Sequence, residues 1–169
     1  MTDSPEKNSS PKENDPTDAA AVRIPPALVG IAGIAVGFVL HVVWPLNVAA
    51  LGTAGRITIG VAIALLGIST LWLSFTHFRR TGQDPTPWKP TPELFCDGIY
   101  RHTRNPIYIS LAQIQIGIGV GVGVWWIAIT TLPVLVVIHF TAVLPEEAYL
   151  ERKFGDAYRR YKSMVRRWI

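Results

Sequence analysis

The chain has 169 residues, enough for one ordinary domain, with 49% hydrophobic and only 17% charged residues and a formal net charge of +4. That balance excludes an ordinary soluble domain and reads as a membrane protein. A single cysteine, Cys96, excludes an internal disulfide framework and a cysteine-based zinc cluster, and neither a metal site nor a nucleic-acid partner is expected.

Residues 1–23 are rich in Pro, Ser, Asn and Asp, with Asp3, Glu6, Glu13, Asp15 and Asp18 set against Lys7, Lys12 and Arg23. They are expected to form a disordered tail. The tail lacks the basic start, short apolar core and small-residue cleavage site of a secretory signal, so it is expected to stay attached. Residues 24–169 are expected to form one membrane domain.

Ile24 to Trp44 is a run of 21 residues without a formal charge, ~31 Å long as a helix at ~1.5 Å per residue, which matches a ~30 Å hydrocarbon core. A second such run, 57–78, follows a short connection with Pro45, Asn47 and Gly52, and Arg79 and Arg80 are expected to stop it. The third apolar run, Ile107 to Leu144, has 38 residues without Asp, Glu, Lys or Arg, too many for one crossing. Two spans, 107–122 and 125–144, turning near Gly121, Gly123, Trp125 and Trp126, fit better. The alternate glycines 117, 119, 121 and 123 read as a helix-packing face or a turn, because no strand and helix context supports a nucleotide loop.

Four spans place the tail, the loop 79–106 and the C-terminal segment on one side. Of the 16 Lys and Arg residues, 15 fall there and only Arg56 lies opposite, so that side is expected to be cytoplasmic. The expected fold is all-α: four transmembrane helices and a cytoplasmic C-terminal amphipathic helix over 146–162.

In the loop, Asp84, Pro85, Pro87, Trp88, Pro90 and Pro92 predict a stiff irregular segment. It leads into Tyr100, Arg101, His102, Thr103, Arg104, Asn105, Pro106, Ile107 and Tyr108, where two arginines and two tyrosines meet a helix-initiating proline at the interface. A basic anchor to anionic headgroups fits the same residues. Cys96 reads as an incidental thiol, since no His and acid stand beside it in a nucleophile pattern. Beyond the last span, Leu150, Phe154, Tyr158 and Tyr161 recur at helical spacing, with Arg152, Lys153, Arg159, Arg160 and Lys162 on other faces. Anionic lipid contact explains most of those cations. Glu146 and Glu147 are different: adjacent acids at the exit of an apolar span cost free energy unless solvated or paired, and a cation is the natural partner. His139, about two turns earlier, is either a packing histidine or a site residue.

The segments G-I-Y-R-H-T-R-N-P-I-Y (98–108) and E-E-A-Y-L-E-R-K-F-G-D-A-Y-R-R-Y-K-S-M-V-R-R-W (146–168), separated by two apolar spans, resemble the isoprenylcysteine carboxyl methyltransferase and phospholipid methyltransferase family. The resemblance covers roughly Phe75 to Trp168 and includes the proline-studded lead-in. It implies a bacterial-type inner-membrane enzyme with both termini cytoplasmic, transferring a methyl group from S-adenosylmethionine to a lipophilic acceptor. Tyr100, Arg104, Asn105, Pro106, Tyr108, His139, Glu146, Glu147 and Arg167 are then the cofactor-binding candidates, with Glu147 and Arg104 as catalytic candidates. Asn105 stands where many members carry histidine. Carboxylates suit the cofactor's ammonium, arginine its carboxylate, and tyrosine faces its adenine or sulfonium. Two other readings stay open: a non-enzymatic membrane scaffold or assembly factor, and an NADPH-dependent enzyme, because sterol reductases end in a similar aromatic and basic segment. The identity of the acceptor and the oligomeric state are not legible.

Overall fold

The computed structural model describes residues 19–22, 24–48, 51–81, 91 and 93–168. The expected disordered tail, apart from 19–22, and the residues of the expected stiff segment, Asp84, Pro85, Pro87, Trp88, Pro90 and Pro92, lie outside the described residues. Every regular element among the described residues is helical.

α1, Pro26–Val43, starts on a proline, whose missing N–H costs nothing at a first helical position, and unwinds at Trp44 before Pro45. α2, Thr53–Thr81, is longer at both ends than the expected 57–78. Arginines at helix ends reach toward water along their own aliphatic stems, and Arg79 and Arg80 also complement the negative end of the helix dipole, so they prolong α2 instead of stopping it. A 3-10 turn, Gly98–Arg101, precedes α3, Pro106–Val122, which ends where Gly123 adopts a φ of +77°. The chain reverses there into α4, Trp125–Ile129, and α5, Thr131–Ile138.

Helical structure was expected to break after Leu144, at Pro145. Instead α4, α5, a π turn at His139–Val143 and α6, Leu144–Phe154, form one continuous helix from Trp125 to Phe154. The reason is local: a mid-helix proline removes a ladder hydrogen bond and crowds the preceding turn. The wider π turn, in which the Leu144 N–H donates to His139 O, opens the ladder just before Pro145. The C-terminal segment, expected as one helix over 146–162, is divided at Gly155, φ +52°, into α6 and α7, Asp156–Met164.

Pro26–Val43, Thr53–Arg80 and Trp125–Phe154 are long and apolar enough to cross a membrane, while Pro106–Val122 is a shorter apolar helix. Large apolar side chains such as Ile31, Phe38 and Val39 on α1 and Leu65, Leu66 and Trp72 on α2 are exposed. Such continuous apolar surface requires lipid, and the chain is an integral membrane protein.

α2 and α3 pack closest. A Cβ on Gly60 would lie 2.4 Å from Gly121 N and 2.6 Å from Gly117 O, and one on Gly117 would lie 2.6 Å from Ala64 N. Small residues let the two backbones touch, as apolar solvent provides no other strong drive for association. The alternate glycines thus act as a packing face, with Gly123 as the turn. On the other flank, Thr130 Oγ1 donates to Gly33 O of α1 at 3.0 Å and Gln115 Nε2 donates to Ile127 O at 3.1 Å, satisfying buried polar groups between helices. Trp126 Nε1 donates to Trp44 O at 2.7 Å and fastens α1 to α4 at the end remote from Arg104.

Candidate active site

The first turn of α3 and the first turn of α6 stand side by side, although their sequences are almost 40 residues apart. Arg104 Nη1 lies 3.0 Å from Glu147 Oε1, with both side chains nearly buried, and the Tyr108 hydroxyl donates to Glu146 Oε1. Arg167, from the segment after α7, grips Glu147 from the other side: Nε to Oε1 and Nη2 to Oε2, each at 2.8 Å. Such a parallel fork is the strong form of a carboxylate–guanidinium contact. Glu147 is thus shared by two cations, whereas Glu146 makes no ion pair among the described residues.

Backbone and side-chain ties hold this arrangement. Arg104 N–H donates to Arg166 O at 3.0 Å, and Thr103 Oγ1 and Asn105 Nδ2 both donate to Arg167 O, at 3.1 and 3.0 Å. The Tyr161 hydroxyl donates to Tyr100 O at 2.8 Å, pinning α7 to the 3-10 turn. Tyr158 and Tyr161 of α7 form a buried cluster with Val165, against which Leu94, Leu150 and Phe154 pack.

A cavity opens between these elements, with about 880 Å³ of empty space, part of it open to solvent. Its lining combines the charged Arg104, Glu146 and Glu147, the phenols of Tyr100, Tyr108, Tyr149, Tyr158 and Tyr161, and the apolar Phe78, Leu94 and Phe95. Arg104 keeps Nε and Nη1 buried without a hydrogen-bond partner among the described residues, so its approach to Glu147 is an ion pair without hydrogen-bond alignment. Burial, and then the Glu147 charge, push the Tyr158 phenol up to about 12 against the opposing influence of Arg104. The Tyr100 and Tyr161 phenols are raised too, mainly by burial. These phenols stay protonated at neutral pH and serve as donors and as aromatic surface. The Glu147 hydrogen bond raises the Arg167 guanidinium above its already high value.

Of the residues singled out from sequence, Tyr100, Arg104, Asn105, Pro106, Tyr108, Glu146 and Glu147 all line the cavity. Arg167 stands behind Glu147, outside the lining. His139 lies in the π turn, its ring centre 5.1 Å from that of Phe140 and 6.3 Å from that of Trp168, and is likewise absent from the lining. Sequence reasoning placed Thr103 and Tyr149 within the two motif segments but gave neither a role. Tyr149 accepts from Thr91 N and Lys153 Nζ, both at 3.1 Å. Tyr158, Tyr161 and Leu150 were visible as an apolar helix face, and that face proves to be a cavity wall.

The sequence model for phospholipid methyltransferase matches residues 55–157, well over half of the chain and all of α3 to α6. An uncharacterized protein of Haemophilus influenzae is 57% identical over 35 residues, which make up 21% of this chain and 56% of that protein. The chain thus spans little more than half the length of that relative. No solved structure matches. With its apolar helices and the extent of the family match, the chain belongs to the phospholipid methyltransferase family, a family of membrane methyltransferases.

Proposed function

We propose that the cavity binds S-adenosylmethionine and that the protein transfers its methyl group to a lipophilic acceptor arriving from the bilayer. The observation that carries this reading is that Arg104, whose buried Nε and Nη1 make no hydrogen bond, and Glu146, with no ion pair among the described residues, line one cavity together with five tyrosines. A ligand with a carboxylate, an ammonium and a sulfonium answers all three features. Arg104 would take the carboxylate and Glu146 the ammonium, and the Tyr100, Tyr108 and Tyr158 rings would meet the adenine or the sulfonium. Asn105 and Pro106 contribute to the floor of the site. His139 and Arg167, the remaining cofactor-binding candidates from the sequence, would act from outside the lining.

Bound there, the cofactor supplies an electrophilic methyl group, displaced in line as the carbon–sulfur electron pair stays on sulfur. The residues themselves align the reactants and exclude water, with no covalent enzyme intermediate. An amine acceptor must also lose a proton. Glu147 is a candidate base, but both of its oxygens face guanidinium groups, and Glu146 is bonded to Tyr108 and, on this reading, to the ammonium, so a lipid-derived base is the other candidate. A carboxylate acceptor needs no base.

The same reading makes α3 a fourth crossing, since its 17 residues span ~26 Å at ~1.5 Å per residue, close to the hydrocarbon thickness. The cavity then faces the cytoplasm of a bacterial inner-membrane protein, with both termini on that side, α6 and α7 at the surface and exposed Arg152, Lys153, Arg159 and Arg160 toward anionic lipid. The test is purified protein, labelled S-adenosylmethionine and total membrane lipid. Labelled lipid is expected, and it should vanish in the Glu146→Ala, Glu147→Ala double variant. Full cofactor affinity in that variant, or stabilisation by NADPH and not by S-adenosylmethionine, would sink the proposal.

A further inference from the structure

Arg167 lies beyond the last residue the family match reaches, yet it is the best-tethered residue of the C-terminal segment. Residues 103, 104 and 105 each bond to the main chain of Arg166 or Arg167, and the Arg167 side chain returns across that contact to fork onto Glu147. Asn105 occupies the N-cap of α3 without capping it. Its amide is committed to Arg167 O instead, an unusual use for a residue whose side chain at that position ordinarily serves its own helix.

We infer that Arg167 is a positioning residue, which sets Glu147 and through it the direction of Arg104, and that Thr103 and Asn105 hold Arg167 for this task. The inference rests on the cavity being the S-adenosylmethionine site. Three features support it. Glu147 stands between Arg167 and the cavity, so the Arg167 guanidinium does not reach a ligand there. Arg104 is ion-paired to Glu147 Oε1 at 3.0 Å, with Tyr158 as its other side-chain partner, so the place of the carboxylate bears directly on where the guanidinium sits. And the carboxylate's position is fixed by the fork, in which one planar guanidinium bonds both oxygens with matched geometry.

The test is a double-mutant cycle on the full chain in detergent, measured both as S-adenosylmethionine affinity and as thermal unfolding without cofactor. Arg167→Gln should weaken affinity about 10-fold, the worth of one charge-assisted contact. Arg167→Lys, which keeps the charge and loses the fork, should fold normally and bind about 3-fold more weakly. The decisive result is the Glu147→Gln, Arg167→Gln pair, expected to bind no worse than Glu147→Gln alone, because Arg167 then has nothing left to position. Losses that add in the pair would mean that Arg167 meets the cofactor itself and would overturn the inference, as would wild-type affinity in Arg167→Lys. If the wild type takes up no S-adenosylmethionine, the functional reading fails and the positioning role fails with it. Non-additive unfolding in the same cycle would then show Arg167 and Glu147 to be a structural clasp only.

Discussion

The close approach of α2 and α3 allows a test in which two glycine substitutions of identical chemistry should have opposite effects. In Gly60→Ala the new Cβ falls 2.4 Å from Gly121 N, 2.5 Å from Gly121 Cα and 2.6 Å from Gly117 O, and every one of these atoms is backbone. No rotamer change relieves such contacts, so α2 and α3 must move apart by roughly 1 Å, and overpacking of this kind costs ~1–3 kcal/mol. Gly30→Ala on α1 meets no atom within 4 Å. Both substitutions gain the same ~0.5–1 kcal/mol from replacing glycine inside a helix. That gain cancels in the comparison, and the difference between the variants is the overpacking alone: Gly30→Ala more stable than wild type, Gly60→Ala less stable than Gly30→Ala by ~1–3 kcal/mol.

Equilibrium unfolding in mixed micelles, followed by tryptophan fluorescence, measures that difference. A second readout ties it to function, because α3 carries Tyr108 and follows Arg104 directly, so its displacement carries both away from the acids of α6. A misplacement of ~1 Å can cost ~100-fold in rate. If Gly60→Ala proves as stable as Gly30→Ala to within about 0.5 kcal/mol, the helices do not pack backbone to backbone as described, and the placement of the site on them loses its support.

Arg104→Lys keeps the charge beside Glu147 but loses the planar guanidinium proposed to meet the cofactor's carboxylate, so unfolding should stay close to wild type while S-adenosylmethionine affinity falls ~10-fold; unchanged affinity by calorimetry would remove Arg104 from the binding reading. The Tyr158 phenol, raised from 10.0 to about 12, remains protonated in the fold after the unfolded chain has ionised, so its stability contribution is whole below pH 10 and is lost between pH 10 and 12. The fall should be shallower in Tyr158→Phe, and identical slopes would argue against it. Cys96 is exposed, on the site side of the protein, and is the chain's sole cysteine. A membrane-impermeant thiol reagent should label it in inside-out vesicles and not in intact cells, with labelling favoured by alkaline pH because burial and then Asp97 raise the thiol; the reverse pattern would invert the proposed orientation.

Helix ends were legible where backbone chemistry decided them, as at Pro106 and Gly123, and illegible where side-chain reach or ladder geometry did. Arg79 and Arg80 looked like a stop because the hydrophobic run ended, but a helix continues wherever its long basic side chains find water. Pro145 looked like a boundary, and nothing in its neighbours announced the π turn that accommodates it. Leu150, Phe154, Tyr158 and Tyr161 keep helical spacing across Gly155, so their pattern hid the break. At the site, the two motif segments were readable and so was their need for each other's charge. The division of labour between the two acids was not. Glu146 and Glu147 are consecutive, ~100° apart around α6, so they cannot share partners. Which of them faces the arginines depends on the helix's rotation, which the spacing of the motif does not encode.

This division of labour leads to a prediction about the reaction's product. On the proposed reading, Arg104 and Glu146 bind the amino-acid end of the cofactor, and that end is unchanged when the methyl group has gone. Discrimination against S-adenosylhomocysteine must then come from the lost sulfonium charge. The tyrosine faces supply it at ~0.5–2 kcal/mol, a ratio of ~2–30-fold. The product should therefore compete with S-adenosylmethionine at an affinity no more than about 30-fold weaker, which a competition titration would measure. A product that binds a thousandfold more weakly would place the recognised charge at the sulfonium itself, and would mean that Glu146 faces sulfur and not the ammonium.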